Sequence, residues 1–374
     1  MKKIFALSFI ATAMLFAFTS CHEGGDDPFG PDKQEVLAIN YYVLNNGNWG
    51  SNDASIGAID LQAKKITPDV FKTANNKALG DVAQDAIVYG SKMYIAVYGS
   101  ATVFAVNKSD MKIAKAISEK SAGGETLSPR HFTTNGAFVY VTYYEGYVGA
   151  IDTTTLSLKQ LVKVGDNPED IAYCSGKLYV ANSGGMNYPD YGHTVSVIDA
   201  ATMTVEKELE VNLNPNKFVI NKKNDLYLLS WGDYAATPAQ LQLINTANQS
   251  VSLVADVKDP YDMALGLDEN LYVLTSSYDE NWNAVTDVVI YNTNEKKYVG
   301  QFSSKVTDIK NKYSISTDYS LGSNAQGVIF IGTSDYISTG DIYIFDSIGS
   351  EYAHMDTGGL NPIKVVPASF AYYI

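Results

Sequence analysis

The sequence predicts an all-β fold: a seven-bladed β-propeller of four-stranded antiparallel blades, with the ring closed by the C-terminal strand completing the first blade. Three observations support this prediction. They are a repeated four-strand pattern, a repeat period typical of propeller blades, and a strand that is missing at the start of the repeats and supplied at their end.

The clearest copy of the repeat lies between Val164 and Leu209. It contains four short runs of alternating or β-branched apolar residues, which we name strands a to d. Turn residues such as Ser175 and Gly176 separate these runs. A four-stranded meander of this kind cannot bury both of its faces alone, so neighbouring copies must stack on it.

Strand b carries an aromatic residue followed by an aliphatic one, and this pair recurs along the chain. The pairs are Tyr42-Val43, Tyr94-Ile95, Tyr140-Val141, Tyr179-Val180, Tyr227-Leu228, Tyr272-Val273 and Phe330-Ile331. By subtraction, successive copies are 39 to 58 residues apart. Seven copies at this period indicate a radial propeller, because a helical solenoid would show a 3.6-residue pattern.

Two further residue types mark the limits of the strands. Strand c ends on an Asp or Asn turn residue, at Asp60, Asn107, Asp152, Asp199, Asn245, Asn292 and Asp346. Proline opens strand a at Pro129, Pro168, Pro215, Pro260 and Pro362. Both choices suit the ends of strands, since Asp and Asn favour turns and Pro lacks a backbone donor.

The ends of the repeat array predict how the ring closes. The first copy begins directly at strand b, residues 39–43, with no strand a before it. Residues 361–370 supply an extra strand a after the seventh blade. The C-terminal strand is therefore expected to complete the first blade and to cover an otherwise unpaired edge.

The N-terminus has the pattern of an export signal. Lys2 and Lys3 precede an apolar run, Ile4 to Phe18, that is too short to span a membrane, and Cys21 follows small residues. This pattern resembles a bacterial lipoprotein signal, which implies a signal peptide at 1–20 and lipidation of Cys21. A secreted protein with an incidental cysteine is the alternative.

Residues 21–35 form a polar, acidic segment rich in Gly and Pro, which predicts a flexible tether before a propeller domain at 36–374. The acidic stretch behind Cys21 resembles the surface-export signal of Bacteroidetes lipoproteins. That resemblance implies an outer-membrane lipoprotein exposed at the cell surface. A plain solvated linker is the alternative.

Composition restricts the function further. The formal net charge of −14 argues against nucleic acid or an anionic membrane surface as a ligand. Cys174 is the only cysteine besides Cys21, so the mature domain has no intrachain disulfide, and we expect a buried thiol.

We expect a binding protein rather than an enzyme, with no cofactor and no metal site, since the chain contains none of the common catalytic or metal-binding motifs. The acidic residues Asp190, Asp233, Asp279 and Glu280 suggest no particular catalytic pair.

Ligand binding is expected on the b–c connections, which lie on one face of a propeller with the d–a connections. The predicted b–c loops are 45–54, 98–101, 143–147, 182–193, 230–239, 275–286 and 333–340, and each carries a Trp or Tyr. These aromatic residues are Trp49, Tyr98, Tyr143, Tyr144, Tyr147, Tyr188, Tyr191, Trp231, Tyr234, Tyr278, Trp282 and Tyr336. The c–d turns of the opposite face contain none. Rings with a polar tip on one face indicate a binding surface for a flat or amphipathic ligand. The alternative is that they cover the core or plug the central channel.

Polar residues accompany these rings. The amides are Asn45, Asn46, Asn48, Asn52, Asn182, Asn187, Gln240 and Asn281. Amides both donate and accept hydrogen bonds, so they suit a ligand with amides or hydroxyls. Arg130 and His131 form the cationic pair that we expect on a d–a loop of this rim, either meeting a phosphate or carboxylate or forming a solvated turn. The predicted ligand-binding set is the loop aromatics other than Tyr143, with Asn48, Asn52, Arg130 and His131.

A family resemblance follows from two of these segments. The run from Gly165 to Asp199, with its Lys-Leu-Tyr-Val-Ala-Asn strand, resembles the YncE-like, YVTN-type propellers. The opening run from Tyr42 to Asn52, Tyr-Val-Leu-Asn-Asn-Gly-Asn-Trp-Gly-Ser-Asn, is similar to Bacteroidetes lipoproteins that include the BtuG-type surface cobalamin-binding proteins. The resemblance covers the whole mature chain.

This resemblance implies a ligand and a partner. The ligand is a corrinoid, vitamin B12 or cobalamin, which would be passed to a TonB-dependent outer-membrane transporter. His131 or His193 as a cobalt ligand is a less favoured extension of this hypothesis. Two other functions remain open on the same residues, namely glycan binding and a scaffold that binds only a protein partner.

Overall fold

The computed structural model describes residues 41–278, 280, 284–318 and 327–368. The predicted leader, Cys21 with its tether, and the loop residues Trp282 and Asn281 lie outside this part of the chain. All described residues belong to one structural unit, Ala38–Ile374. Among the described residues, no helix is both long and apolar enough to traverse a bilayer.

The described residues form 28 strands in seven four-stranded antiparallel sheets, as predicted, together with two short helices. Blades one to three contain β1 (Tyr41–Asn45), β2 (Ser55–Asp60) and β3 (Lys65–Thr67); β4 (Ala83–Tyr89), β5 (Lys92–Val97), β6 (Thr102–Asn107) and β7 (Ile113–Ile117); and β8 (Pro129–Asn135), β9 (Phe138–Tyr143), β10 (Tyr147–Asp152) and β11 (Ser157–Lys163). Blades four and five contain β12 (Pro168–Cys174), β13 (Lys177–Asn182), β14 (Thr194–Asp199) and β15 (Thr204–Glu210); and β16 (Pro215–Ile220), β17 (Asp225–Ser230), β18 (Gln240–Asn245) and β19 (Ser250–Leu253).

Blades six and seven contain β20 (Pro260–Leu265), β21 (Asn270–Tyr278), β22 (Ala284–Asn292) and β23 (Lys297–Gln301); and β24 (Lys312–Asp318), β25 (Val328–Thr333), β26 (Asp341–Asp346) and β27 (Glu351–Asp356). Helix α1 (Val70–Asn75) joins the first two blades, and α2 (Ser304–Thr307) joins the last two. The last strand, β28 (Pro362–Pro367), belongs to blade one. The first strand of each sheet contacts its neighbours around the ring, so β4, β8, β12, β16, β20, β24 and β28 surround a central channel.

The closure of the ring is confirmed. Strand β28 pairs antiparallel with β1, with Tyr41 opposite Pro367 and Val43 opposite Val365. The amide of Asn361 adds a side-chain connection, because its Nδ2 donates to the carbonyl oxygen of Gly47 at 2.8 Å. The two ends of the propeller are therefore held by a ladder in which each strand covers an edge of the other.

The recurring aromatic residue of strand b is a core residue. Tyr94, Tyr140, Tyr179, Tyr227, Tyr272 and Phe330 are among the largest fully buried side chains, and Tyr42 is also buried. These rings pack in apolar clusters that combine residues of neighbouring blades. The free thiol of Cys174 is buried in one such cluster, as expected.

The recurring Asp or Asn at the end of strand c closes the next turn. Asp199 Oδ1 accepts hydrogen bonds from the backbone N–H groups of Ala201 and Thr202 at 3.1 and 2.9 Å. Asp152 does the same for Thr154 and Thr155 at 3.0 and 2.7 Å. A short side-chain acceptor at this position is what such turns require, which explains the repeat of these two residue types.

Every inner strand contains a β-bulge near its start. In blade four, Pro168 pairs with Asn182 but Ile171 already pairs with Val180, so two residues face one on the partner strand. Corresponding register shifts occur in the other six inner pairs. A bulge redirects side chains away from the regular alternation, and here it turns the second and third residues of each inner strand towards the channel.

Several predicted positions on the loops are wrong. Arg130 and His131 lie in β8 rather than on a d–a loop, because the inner strand already begins at Pro129. Tyr143 ends β9 and is buried rather than in a loop. The sixth b–c connection is shorter than 275–286, since β21 continues to Tyr278 and β22 begins at Ala284.

Candidate ligand-binding face and central channel

The face formed by the b–c connections carries most of the exposed aromatic side chains. Trp49, Tyr188, Tyr234 and Tyr336 are 70%, 75%, 69% and 56% exposed. We define the aromatic rim as Trp49, Tyr98, Tyr144, Tyr188, Tyr191, Tyr234 and Tyr336. On the opposite face, the c–d turns expose only one large hydrophobic side chain within the described residues, that of Ile348.

One group of rim residues spans the first three blades. The Trp49 and Tyr98 ring centroids are 5.6 Å apart, and those of Tyr98 and Tyr144 are 5.4 Å apart with the rings nearly perpendicular. The edge-to-face contact between Tyr98 and Tyr144 fixes the orientation of those two rings relative to each other, and the Trp49 ring packs against Tyr98 at 45°. The three side chains therefore form a continuous aromatic surface across three blades.

Arg130 supports this surface from below. Its guanidinium carbon lies 5.1 Å from the Tyr98 ring centroid and 4.8 Å from that of Tyr144. Its Nε donates to Glu169 Oε2 at 2.9 Å, and the side chain is only 14% exposed. Arg130 is therefore held between a carboxylate and two rings and is not a free cation at the rim.

A second group of rim residues belongs to blades four and five. The Tyr188 and Tyr191 ring centroids are 6.0 Å apart, and those of Tyr191 and Tyr234 are 6.2 Å apart. The two groups lie close together. Gly185, on the same loop as Tyr188 and Tyr191, approaches Tyr144 so closely that a Cβ atom on it would lie 2.6 Å from the Tyr144 hydroxyl oxygen. Burial raises the pKa of Tyr144, with smaller increases from neighbours that include Tyr234, which agrees with the proximity of the two groups.

Blade seven adds Tyr336, whose backbone carbonyl accepts a hydrogen bond from Asn48 Nδ2 at 2.9 Å. Asn361 Nδ2 donates to the Oδ1 of the same Asn48 at 2.9 Å. Both ends of the Asn48 amide are therefore engaged in joining blades one and seven. Asn52, by contrast, is exposed and available at the rim.

The other predicted residues lie apart from the rim surface. Tyr147 packs against the core, with Lys163 Nζ 4.6 Å from its ring centroid. Trp231 is half-buried at the channel mouth. Two predicted rim amides, Asn45 and Asn182, are buried within their blades, so their assignment to the rim is wrong. Tyr278 ends β21, and its side chain lies outside the described part of the chain, as does Trp282.

The channel contains a cavity of about 580 Å³ beneath the rim. The second residues of the inner strands line it nearest the rim, namely Gln84, Arg130, Glu169, Asn216, Tyr261, Tyr313 and Ile363. The third residues line it one step deeper, and we call them the channel layer: Asp85, His131, Asp170, Lys217, Asp262, Ser314 and Lys364.

Three aspartates of the channel layer each connect their own blade to the next one, so every second junction of the ring from blade two onwards carries such a bond. Asp85 Oδ2 accepts from the backbone N–H of Phe132 at 2.9 Å, and Asp170 Oδ2 accepts from that of Phe218 at 2.8 Å. Asp262 Oδ2 accepts from the backbone N–H of the next inner strand in the same way. Each carboxylate therefore holds the following blade in place, in addition to facing the cavity.

Two residues of the channel layer have strongly shifted pKa values. Burial raises the pKa of Asp170 to about 6, partly countered by its backbone hydrogen bonds, and the charge of Asp85 raises it further. Burial lowers the pKa of His131 to about 3, although its Nδ1 lies 4.0 Å from Asp85 and its Nε2 lies 3.9 Å from Glu169. His131 is therefore neutral near pH 7.

Sequence reasoning missed the channel layer apart from His131. Aligned inner strands show polar or charged residues at the third position in all seven blades, and that pattern was the available signal. Within the described residues, no group of three or more His, Cys, Asp or Glu side chains is arranged to hold a metal ion.

Comparison with solved structures shows the same fold in proteins of different activity. A quinonprotein alcohol dehydrogenase-like protein from Bacteroides thetaiotaomicron has a TM-score of 0.62 and 15% identity, and the match covers 88% of this chain and 78% of that one. Hydrazine synthase of Kuenenia stuttgartiensis has a TM-score of 0.54 and 18% identity, with 69% and 74% covered. At these identities the likeness concerns the fold alone.

Sequence comparisons identify the family. No curated protein matches the chain. The family described as "Domain of unknown function (DUF5074)" matches residues 40–264, which is more than half of the chain. This match begins at the first strand of the propeller and runs to the inner strand of blade six. The chain therefore belongs to the DUF5074 family.

Proposed function

We propose that this protein is a non-enzymatic, surface-exposed lipoprotein of the outer membrane. In this proposal it binds a corrinoid on the aromatic rim and passes it to a TonB-dependent transporter. The observation that carries the proposal is the gathering of indole and phenol rings, in two contacting groups together with Tyr336, on one face of the ring. The resemblance of the run from Tyr42 to Asn52 to the BtuG-type lipoproteins supports the choice of ligand.

The chemistry of the rim suits such a ligand. A corrinoid is a broad ring with amide-bearing arms, so it needs apolar surface and hydrogen-bonding groups side by side. Tyr188 and Tyr234 offer both, since each presents an exposed ring that ends in a hydroxyl. Asn52, on the loop of blade one, and Asn187, on the loop of blade four, add exposed amides.

Neither His131 nor His193 is assigned to bind cobalt. His131 lies in the channel layer, where both of its ring nitrogens face carboxylates. His193 is half-exposed, but its Nε2 lies 3.2 Å from Glu210 Oε2. Binding therefore rests on ring contacts and hydrogen bonds, and cobalamin is a cargo rather than a resident cofactor.

The test uses the chain from residue 22 onwards, expressed without the lipid. After mixing with cyanocobalamin and passage through a desalting column, the protein fraction is expected to be pink. The double substitution Tyr188→Ala/Tyr234→Ala should weaken binding by roughly 100-fold, because exposed aromatic anchors dominate interfaces of this kind. The matched control is Tyr298→Ala, which removes an exposed tyrosine from outer strand β23.

A colourless wild-type fraction would overturn the corrinoid proposal, as would a Tyr298→Ala effect equal to that of the rim substitutions. Affinity gels with polysaccharides, run on the same proteins, test the glycan alternative. A pull-down from outer-membrane extract in the presence and absence of cyanocobalamin tests the transfer step. We expect a transporter to be retained with the loaded protein.

A further inference from the structure

The described side chains that line the central channel include one more carboxylate than they include lysine and arginine cations. Among the residues that the structure describes, four carboxylates line the cavity, and three cations face them. Lys364 pairs with Asp85, Lys217 with Asp262, and Arg130 with Glu169. Within the described residues, no cation forms an ion pair with Asp170, the fourth carboxylate.

The contacts of Asp170 leave room for a counter-charge. Its Oδ1 accepts from the backbone N–H of Ile171 at 2.8 Å, and its Oδ2 accepts from that of Phe218 at 2.8 Å. Both donors are neutral, and each carboxylate oxygen has a second lone pair. A buried carboxylate without a cation is costly, so an arriving positive charge would be favoured.

Aromatic rings line the same cavity from three consecutive blades: Trp231, Tyr261 and Tyr313. Trp231 Nε1 donates to the backbone carbonyl of Tyr261 at 3.0 Å, and the two rings lie within 14° of parallel. The Tyr313 ring contacts Tyr336 of the aromatic rim. The faces of such rings attract cations, and the attraction grows where water is excluded.

We propose that the central channel binds a small organic ammonium ion, with Asp170 as its counter-charge and Trp231, Tyr261 and Tyr313 as its aromatic wall. The cavity of about 580 Å³ lies in the size range of small-molecule sites. One positive charge would neutralise the excess on the channel side chains. This site lies below the rim and does not depend on corrinoid binding.

The first test compares two probes that differ only in charge. Choline and its neutral isostere 3,3-dimethylbutan-1-ol are titrated into the wild-type chain from residue 22 onwards, in an amine-free phosphate buffer, by calorimetry. Choline is expected to bind at least tenfold more tightly than the isostere. Equal affinities, or no heat from choline at millimolar concentration, would overturn the proposal.

The second test uses substitutions. Asp170→Asn is expected to lower choline affinity at least tenfold, whereas Asp190→Asn, the same change on an exposed loop residue, leaves the affinity unchanged. A folded Asp170→Asn protein that binds choline like the wild type contradicts the assignment. Since Asp170 also holds Phe218, Tyr261→Leu provides a second variant that keeps the carboxylate and is expected to lose affinity through its ring.

The two proposals can fail separately. The Tyr188→Ala/Tyr234→Ala protein should lose cyanocobalamin binding and keep the choline affinity of the wild type. Loss of both by this variant would show that the channel has no independent site. A wild-type protein that binds choline but not cyanocobalamin would support the channel site and reject the corrinoid proposal.

Discussion

At the residue scale, two opposing effects act on the charge of the Asp170 carboxylate. Its carboxylate accepts two backbone hydrogen bonds, one of them from the next blade, and those bonds favour the charged form. Its burial opposes that charge and raises the pKa to about 6. The folded state therefore holds a proton on Asp170 over a pH range where an unfolded chain does not.

This difference predicts a pH dependence of stability. Because the folded pKa of Asp170 is raised, its contribution is fully present below pH 3.8 and is lost as the pH rises through about 6. The shift corresponds to about 3 kcal/mol. The unfolding free energy of the wild type minus that of Asp170→Asn should fall by this amount between pH 3.8 and 7, measured by urea denaturation in amine-free buffers.

The control for this experiment is Asp190→Asn, an exposed carboxylate with the same change of charge. Its difference from the wild type should stay nearly constant across the range. If the Asp170 difference is also constant, the carboxylate titrates at its ordinary pKa and the cavity does not desolvate it.

Prediction from sequence was least successful at this scale, for a physical reason. Arg130 and His131 are polar, which favours a loop, but they follow the proline that opens β8, and the bulge there turns both side chains towards the channel. The sequence predicts Asn182 at the rim, whereas its Nδ2 donates to Ser196 and Thr194 inside the blade. An amide or a charge in a sequence does not reveal which polar neighbours the fold brings to it.

At the element scale, the strand β28 determines whether the first blade is complete. It supplies the inner strand of that blade, and without it β1 would present an unpaired edge to the channel. The sequence predicted this arrangement because the first repeat lacks a strand a and the last residues resemble one. The strand periodicity and the turn residues gave enough information to place the blades.

Truncation after Thr357 is therefore expected to open the ring. The shortened chain should lose the sharp unfolding transition and should expose apolar surface from blades one and seven, detected by binding of a hydrophobic dye. The matched comparison is Ile363→Ala, which alters β28 but keeps its ladder with β1. Cooperative unfolding of the truncated chain at the midpoint of the full one would contradict the role of β28.

At the scale of the whole molecule, the seven blades share their cores. The buried clusters combine residues of neighbouring sheets, for example Leu228 with Ala181. No blade has a complete core of its own, so the ring should unfold as one unit rather than blade by blade. This property follows from the stacking that the repeat pattern requires.

Large-to-small substitutions in the cores of two distant blades test whether the ring unfolds as one unit. Ile95→Ala in blade two and Leu228→Ala in blade five should each cost about 2–5 kcal/mol, because both side chains are fully buried. Each is expected to shift the entire transition, with circular dichroism and tryptophan fluorescence giving the same midpoint. Two separated transitions in either variant would show that the blades unfold independently.

The sequence also placed the aromatic rim on one face, because consecutive b–c connections of a propeller emerge on the same side. It did not show which rings touch. The contact between Tyr98 and Tyr144, and the support from Arg130, arise between residues of consecutive blades that are well separated in the sequence. Such contacts depend on how far each loop leans over the channel.

The bulge repeated in every inner strand has a consequence for how this family can diversify. It places two side chains per blade in the cavity while the rest of the strand remains committed to the ladder. Single substitutions at these sites can thus alter the preferred occupant and leave the ladders intact, although changes of Asp85, Asp170 or Asp262 also remove a bond to the following blade. Homologues with one shared scaffold are expected to differ most in cargo where these paired positions differ.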